Sequence, residues 1–133
     1  MGSQKSAGGY RVNWINYPLK IKNFFCRIIL EDDHYGLVID VQEKDESLRQ
    51  LFTQQWYELK NVLSNALGND VIIKANHIMF TGVPAVRVVL FEDQRSWQER
   101  QNWPVIQQNL KDYLIKWDAF WQDFDDVFKG LVG

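Results

Sequence analysis

Apolar and polar residues alternate from Tyr10 to Asn16, with Val12 and Trp14 on one side and Arg11 and Asn13 on the other. A period of two is the mark of a half-buried strand. Pro18 cannot donate to a ladder, so Tyr17-Pro18-Leu19 is expected at a turn or a sheet edge. A second strand is expected over Asn23 to Leu30, with Phe24, Cys26, Ile28 and Leu30 on one face and Arg27 on the other. The polar run Glu31 to Gly36 suits a hairpin loop. Alternation returns from Leu37 to Gln42, with Leu37, Ile39 and Val41 inward and Asp40 outward.

The period then changes. From Glu46 to Leu67, apolar residues recur at three- and four-residue steps: Leu48, Leu51, Phe52, Trp56, Leu59, Leu63, Ala66 and Leu67. That spacing predicts a helix with one apolar stripe. Asp45 is placed to cap its first turn and Gly68 to end it in a left-handed conformation. Two further strands are expected over Val71 to Ile78 and Ala85 to Phe91, separated by Thr81-Gly82-Val83-Pro84. Val86, Val88 and Leu90 face inward and Arg87 outward. Glu92 to Gln101 reads as a loop. A second helix is expected from an Asn102 cap, with Pro104 in its first turn, where a missing N–H costs nothing. Its stripe is Ile106, Leu110, Tyr113, Leu114, Trp117, Trp121, Phe124 and Phe128, and Gly130 is expected to end it.

The order βββ-α-ββ-α, with short links between consecutive strands, predicts an α+β fold. We expect an antiparallel sheet of about five strands with two long helices packed on one face. The chain of 133 residues fits one domain, assigned to residues 10–133, after a glycine- and serine-containing start at 1–9 that reads as a flexible tail.

Composition narrows the function classes. Apolar residues make up 46% of the chain, enough for a packed core at this length. The single cysteine, Cys26, excludes an intrachain disulfide, and a lone thiol fits a reducing cytoplasm. No apolar run is long enough to span a bilayer, and the start of the chain has no secretory-signal character. Net charge is −2, which exerts no bulk pull on nucleic acid. Lys5, Arg11, Lys20, Lys22 and Arg27 all precede the first acidic residue, Glu31, so the basic charge is concentrated early.

The sequence contains no catalytic constellation. A restriction-nuclease-like site needs an acid, then an acid and a lysine two residues apart on a strand. Asp40 lies on a strand, but Glu43 and Lys44 are adjacent, while Glu58 and Lys60 lie on a helix, where their side chains diverge. Cys26 falls on an apolar strand face, where a thiol is inert. His34 is in a loop and His77 near a strand end, neither with a companion at metal-ligand spacing. No cofactor or metal is expected.

Two binding surfaces are candidates. Trp97 and Trp103, with Arg95 and Arg100 beside them, have the residue types of a protein-partner hot spot; their competing role is to cover the core edge. Arg11, Lys20, Lys22 and Arg27, interleaved with Trp14, Tyr17, Phe24 and Phe25, could meet phosphates and unpaired bases, unless those rings are core.

Several blocks carry a family resemblance: Asn13-Trp14-Ile15-Asn16-Tyr17; Leu51-Phe52 with Glu58-Leu59-Lys60, Leu63 and Ala66-Leu67-Gly68; Trp103-Pro104; and Asp118-Ala119-Phe120-Trp121. Over roughly Gly8 to Phe128 the chain resembles the bacterial domain-of-unknown-function family 4268. The resemblance implies no catalytic residues. It implies either a free-standing bacterial protein or an accessory segment beside restriction-nuclease-like domains. Relatives begin with an extra amphipathic helix bearing a Phe-Trp pair. This chain has only the glycine- and serine-containing start there; where that helix is lacking, an open apolar groove is expected, with weak self-association as a homodimer through it. The favoured reading is a cytoplasmic, non-enzymatic binding or accessory module. The alternative is a nucleic-acid-associated accessory domain linked to restriction or defence nucleases.

Overall fold

The computed structural model describes residues 14–19 and 21–132. The expected tail at 1–9, the strand positions Tyr10 to Asn13, Arg11 and Lys20 lie outside these residues. The chain runs β1 (Trp14–Pro18), β2 (Phe24–Leu30), β3 (Tyr35–Val41), α1 (Glu46–Leu67), β4 (Ile72–Ile78), β5 (Pro84–Asp93) and α2 (Trp103–Val132). A 3-10 turn at Arg100–Asn102 leads into α2. The architecture is α+β, with an antiparallel sheet and two helices, as the patterning predicts.

The sheet order is β1-β2-β3-β5-β4. Every neighbouring pair is antiparallel. β5 lies against β3, and β4 forms the outer edge, so the connection through α1 carries the chain past the position that β5 later fills. Pro18 ends β1, an edge strand, where its missing N–H is tolerated.

Helix α1 has the predicted ends. The Asp45 side chain accepts from the Leu48 amide at 3.1 Å. Gly68 adopts φ 72°, and its amide donates to the Ser64 carbonyl. Phe52, Trp56, Leu59, Leu63 and Leu67 form the buried stripe. Both helices cover the face formed by Phe24, Cys26 and Ile28 of β2, by Leu37, Ile39 and Val41 of β3, and by Val86 and Val88 of β5. Phe128 stands at the centre of an aromatic cluster, its ring 4.4 Å from Trp56, 5.6 Å from Phe24 and 5.7 Å from Trp121. Edge-on and tilted rings stabilise one another beyond simple area burial.

Several boundaries and orientations differ from expectation. Tyr35 and Gly36 belong to β3, not to the preceding loop, and Glu92 and Asp93 extend β5. The added ladder pairs Tyr35↔Asp93 and Gly36↔Glu92 outweigh the local polarity. Leu51 and Ala66 lie on the exposed side of α1, while Phe120, absent from the expected stripe of α2, is buried. The long α2 stripe is wide enough to take in a neighbouring position. Asn102 ends the 3-10 turn with its side-chain Nδ2 donating to the Ser96 carbonyl at 2.9 Å. Helix α2 continues through Gly130 to Val132 because Leu131 packs against the core. No helix among the described residues is long and apolar enough to cross a membrane.

Candidate functional site

Strand alternation sends one set of side chains away from the helices. The register places Phe25 of β2 opposite Asp40 of β3, Asp40 opposite Arg87 of β5, and Arg87 opposite Lys74 of β4. A row that is charged on three strands and continued on β2 by Phe25 therefore crosses the face that carries no helix among the described residues.

Asp40 is its centre and is fully buried. Arg87 Nε donates to Asp40 Oδ1 at 2.7 Å, and its Nη2 donates to Oδ2 at 2.8 Å. Arg27 Nη1 donates to the same Oδ2 at 2.9 Å. Arg27 also lies over the Phe25 ring, 4.8 Å from its centroid. Asp40, expected to face outward, is therefore the centre of a buried polar cluster. Each charged residue reads as outward-facing when its strand is considered alone, but two guanidiniums converge on one carboxylate and shield it from water. The two-pronged contact from Arg87 is the strong geometry for a carboxylate.

Beside the row lies a cavity of about 520 Å³ bordered by Arg27, Ile29, Glu31, His77, Ile78, Met79, Phe80 and Arg87. A smaller one of about 110 Å³ is bordered by Glu31, His34, Gly36, Lys74, Arg87 and Glu92, among others. The β4–β5 hairpin supplies much of the larger cavity. A register shift between Lys74 and His77 inserts an extra residue into β4 there. The insertion keeps both Lys74 and His77 on the helix-free face, because a bulge resets alternation. Burial pushes the His77 pKa down, and the positive charge of Arg87 pushes it further. Phe80, at the hairpin tip, is 85% exposed.

Gly36 borders the smaller cavity. A Cβ at that position would stand 2.5 Å from the Phe91 carbonyl oxygen. The close approach coincides with a register shift where Leu37 and Val38 face Phe91 and Val89. His34 bridges this end: its Nδ1 is 2.7 Å from Asp33 Oδ1 and its Nε2 is 3.6 Å from Glu92 Oε2.

The residues weighed for chemistry are dispersed. Glu43 contacts Asn23 and the Asp45 amide, and Glu58 is on the exposed side of α1, so neither joins Asp40. Among the described residues, no three His, Cys, Asp or Glu side chains come together to hold a metal ion. Cys26 is buried in the core, and burial pushes its thiol up to about 12, with the Asp40 carboxylate adding to the rise.

The tryptophan-arginine surface is drawn together in the link between β5 and α2. Trp97 is half-buried against the core. The Trp103 indole donates to the Trp97 carbonyl at 2.6 Å, and Arg100 lies over the Trp103 ring at 5.3 Å. Arg95 pairs with Asp93, which also accepts from the Tyr35 hydroxyl. Of the basic set, Lys22 is exposed in the turn before β2, whereas Arg27 is buried on Asp40, so these two do not share one surface. Phe24 is core.

A family sequence profile, described as Domain of unknown function (DUF4268), matches residues 3–125. The chain belongs to the DUF4268 family. No curated protein and no solved structure matches it. The Arg27–Asp40–Arg87 cluster and both cavities of this DUF4268 domain lie within the matched residues. Phe128 lies beyond them.

Proposed function

We propose that this DUF4268 domain is a non-enzymatic binding or accessory module whose recognition surface is the helix-free face of the sheet. The observation that carries this reading is Asp40, fully buried yet holding Arg87 at the meeting point of two cavities. A buried ion pair on a face that carries no covering helix among the described residues is a costly way to build a sheet. It is also an effective way to hold a guanidinium in one orientation. The neighbouring groups favour binding over catalysis: both Asp40 oxygens are engaged by arginine, and the Cys26 thiol is buried and protonated.

A nucleic-acid role has less support, because Arg27 is engaged by Asp40 and Phe24 by the core. The test is isolation of the tagged full chain from its native cells with whatever it holds, beside Ile72→Asp and Phe80→Asp. Both positions are exposed, so the melting temperature is expected to hold while the bound component is lost. Retention by both variants would remove the helix-free face as the recognition surface.

A further inference from the structure

Arg87 belongs to both cavities, as do Ile29 and Glu31, so the two are adjoining parts of one site. The guanidinium is held through Nε and Nη2 by Asp40, while Nη1 donates to no acceptor among the described residues. Lys74 stands directly across the strand pair from Arg87. Like charges in facing positions repel, and Lys74 forms no ion pair among the described residues. The two cations thus face each other across the smaller cavity, with Arg87 Nη1 and the Lys74 ammonium unengaged among the described residues. Opposing them, Glu31 and Glu92 also line the smaller cavity, Glu92 lying 3.6 Å from His34, and Asp40 holds Arg87. These carboxylates disfavour a polyanion and tolerate a single negative group. The smaller cavity, about 110 Å³, suits a headgroup only, whereas the adjoining space of about 520 Å³ lies within the range of small-ligand sites. Ile78, Met79 and the exposed Phe80 ring give that larger part an apolar wall.

We propose that this face binds a small organic anion. One carboxylate or phosphate group sits between Arg87 Nη1 and the Lys74 ammonium, and an apolar or aromatic body lies against Ile78, Met79 and Phe80. This assignment rests on the binding-module reading and names its ligand class. The charge-assisted contacts hold the head, and the ring of Phe80 offers a stacking surface for the body.

Titration calorimetry of the full chain with phenyl phosphate, benzoate, inorganic phosphate and benzyl alcohol tests it. Phenyl phosphate or benzoate is expected to bind, the preference between them identifying the headgroup. Benzyl alcohol and inorganic phosphate are expected to bind at least about tenfold more weakly, the weight of one charge-assisted contact or one buried ring. Lys74→Gln and Phe80→Ala, both at exposed positions, are each expected to weaken the organic anion by about tenfold with unchanged melting. Equal binding of benzyl alcohol, equal binding of inorganic phosphate, or indifference to both substitutions would overturn the proposal. If neither organic anion binds while Phe80→Asp still sheds the component held in native cells, the ligand class falls and the binding-module reading stands. If the native component is also retained, both fall.

Discussion

Asp40 and Arg87 face each other across β3 and β5, and Arg87 holds both carboxylate oxygens, at 2.7 and 2.8 Å. With Arg27 on the same carboxylate, one anion organises two cations from flanking strands. Removing the anion leaves the buried Arg27 guanidinium and the part-buried Arg87 guanidinium without it. Asp40→Ala is therefore expected to destabilise the fold by about 3–5 kcal/mol, read from urea denaturation. Replacing Arg27, Asp40 and Arg87 together by Met, Leu and Met is expected to cost far less, since no unpaired charge remains. A mild Asp40→Ala effect would mean that water or rearranged side chains already satisfy the arginines.

Phe128 lies three residues past the end of the family match at residue 125 and is fully buried among Trp56, Phe24 and Trp121. Phe128→Ala is expected to cost about 3–5 kcal/mol, as for other large aromatic truncations in a packed core. A chain cut after Asp125 loses this ring and Leu131 together. It is expected to show reduced near-ultraviolet circular dichroism and no cooperative thermal transition.

Gly36 is required by contact, not by conformation. Because an added Cβ would meet the Phe91 carbonyl oxygen at 2.5 Å, Gly36→Ala must push β3 and β5 apart at the register shift. The expected cost is about 1–3 kcal/mol, the range for overpacking. Amide exchange at Leu37 and Phe91 is expected to accelerate more than at Cys26 or Ile39. Uniform protection across the sheet would contradict a local cause.

Cys26 carries a pH signature. Its ordinary value is 9.0 and burial raises it to about 12. Between those values the unfolded chain loses the thiol proton and the folded chain keeps it. The stabilising contribution is thus whole below pH 9 and declines as pH rises towards about 12. The stability gap between the wild type and Cys26→Ala, measured by denaturation at pH 8 and pH 10.5, is expected to narrow at the higher pH. A constant gap would mean that the thiol ionises equally in both states. At neutral pH the thiol is expected to react with a disulfide reagent only as fast as the protein opens.

Much of the fold is legible in the sequence. The limits of α1 follow from Asp45 and Gly68, because capping is decided by residues within a turn of each other. The inward faces of β2 and β3 follow from alternation, because neighbouring side chains on a strand must point in opposite directions. The buried faces of both helices follow from spacing, with errors only at the margins, as at Leu51, Ala66 and Phe120. The polar site was present only in fragments. Arg27, Asp40 and Arg87 each read as a solvated outward residue, and nothing local distinguishes such a residue from a member of a buried network.

What the sequence alone determined is therefore the set of elements and the face each one hides, since helix and strand periodicity act over a few residues. What the tertiary structure decided is which outward residues meet. Placing β5 beside β3, with β4 outside it, brings Arg87 to Asp40 across 47 positions of chain. Strand order, register and bulges are settled by long-range pairing and by how two helices cover one sheet, and a charged residue's neighbours are set by those choices and not by its own position in the chain.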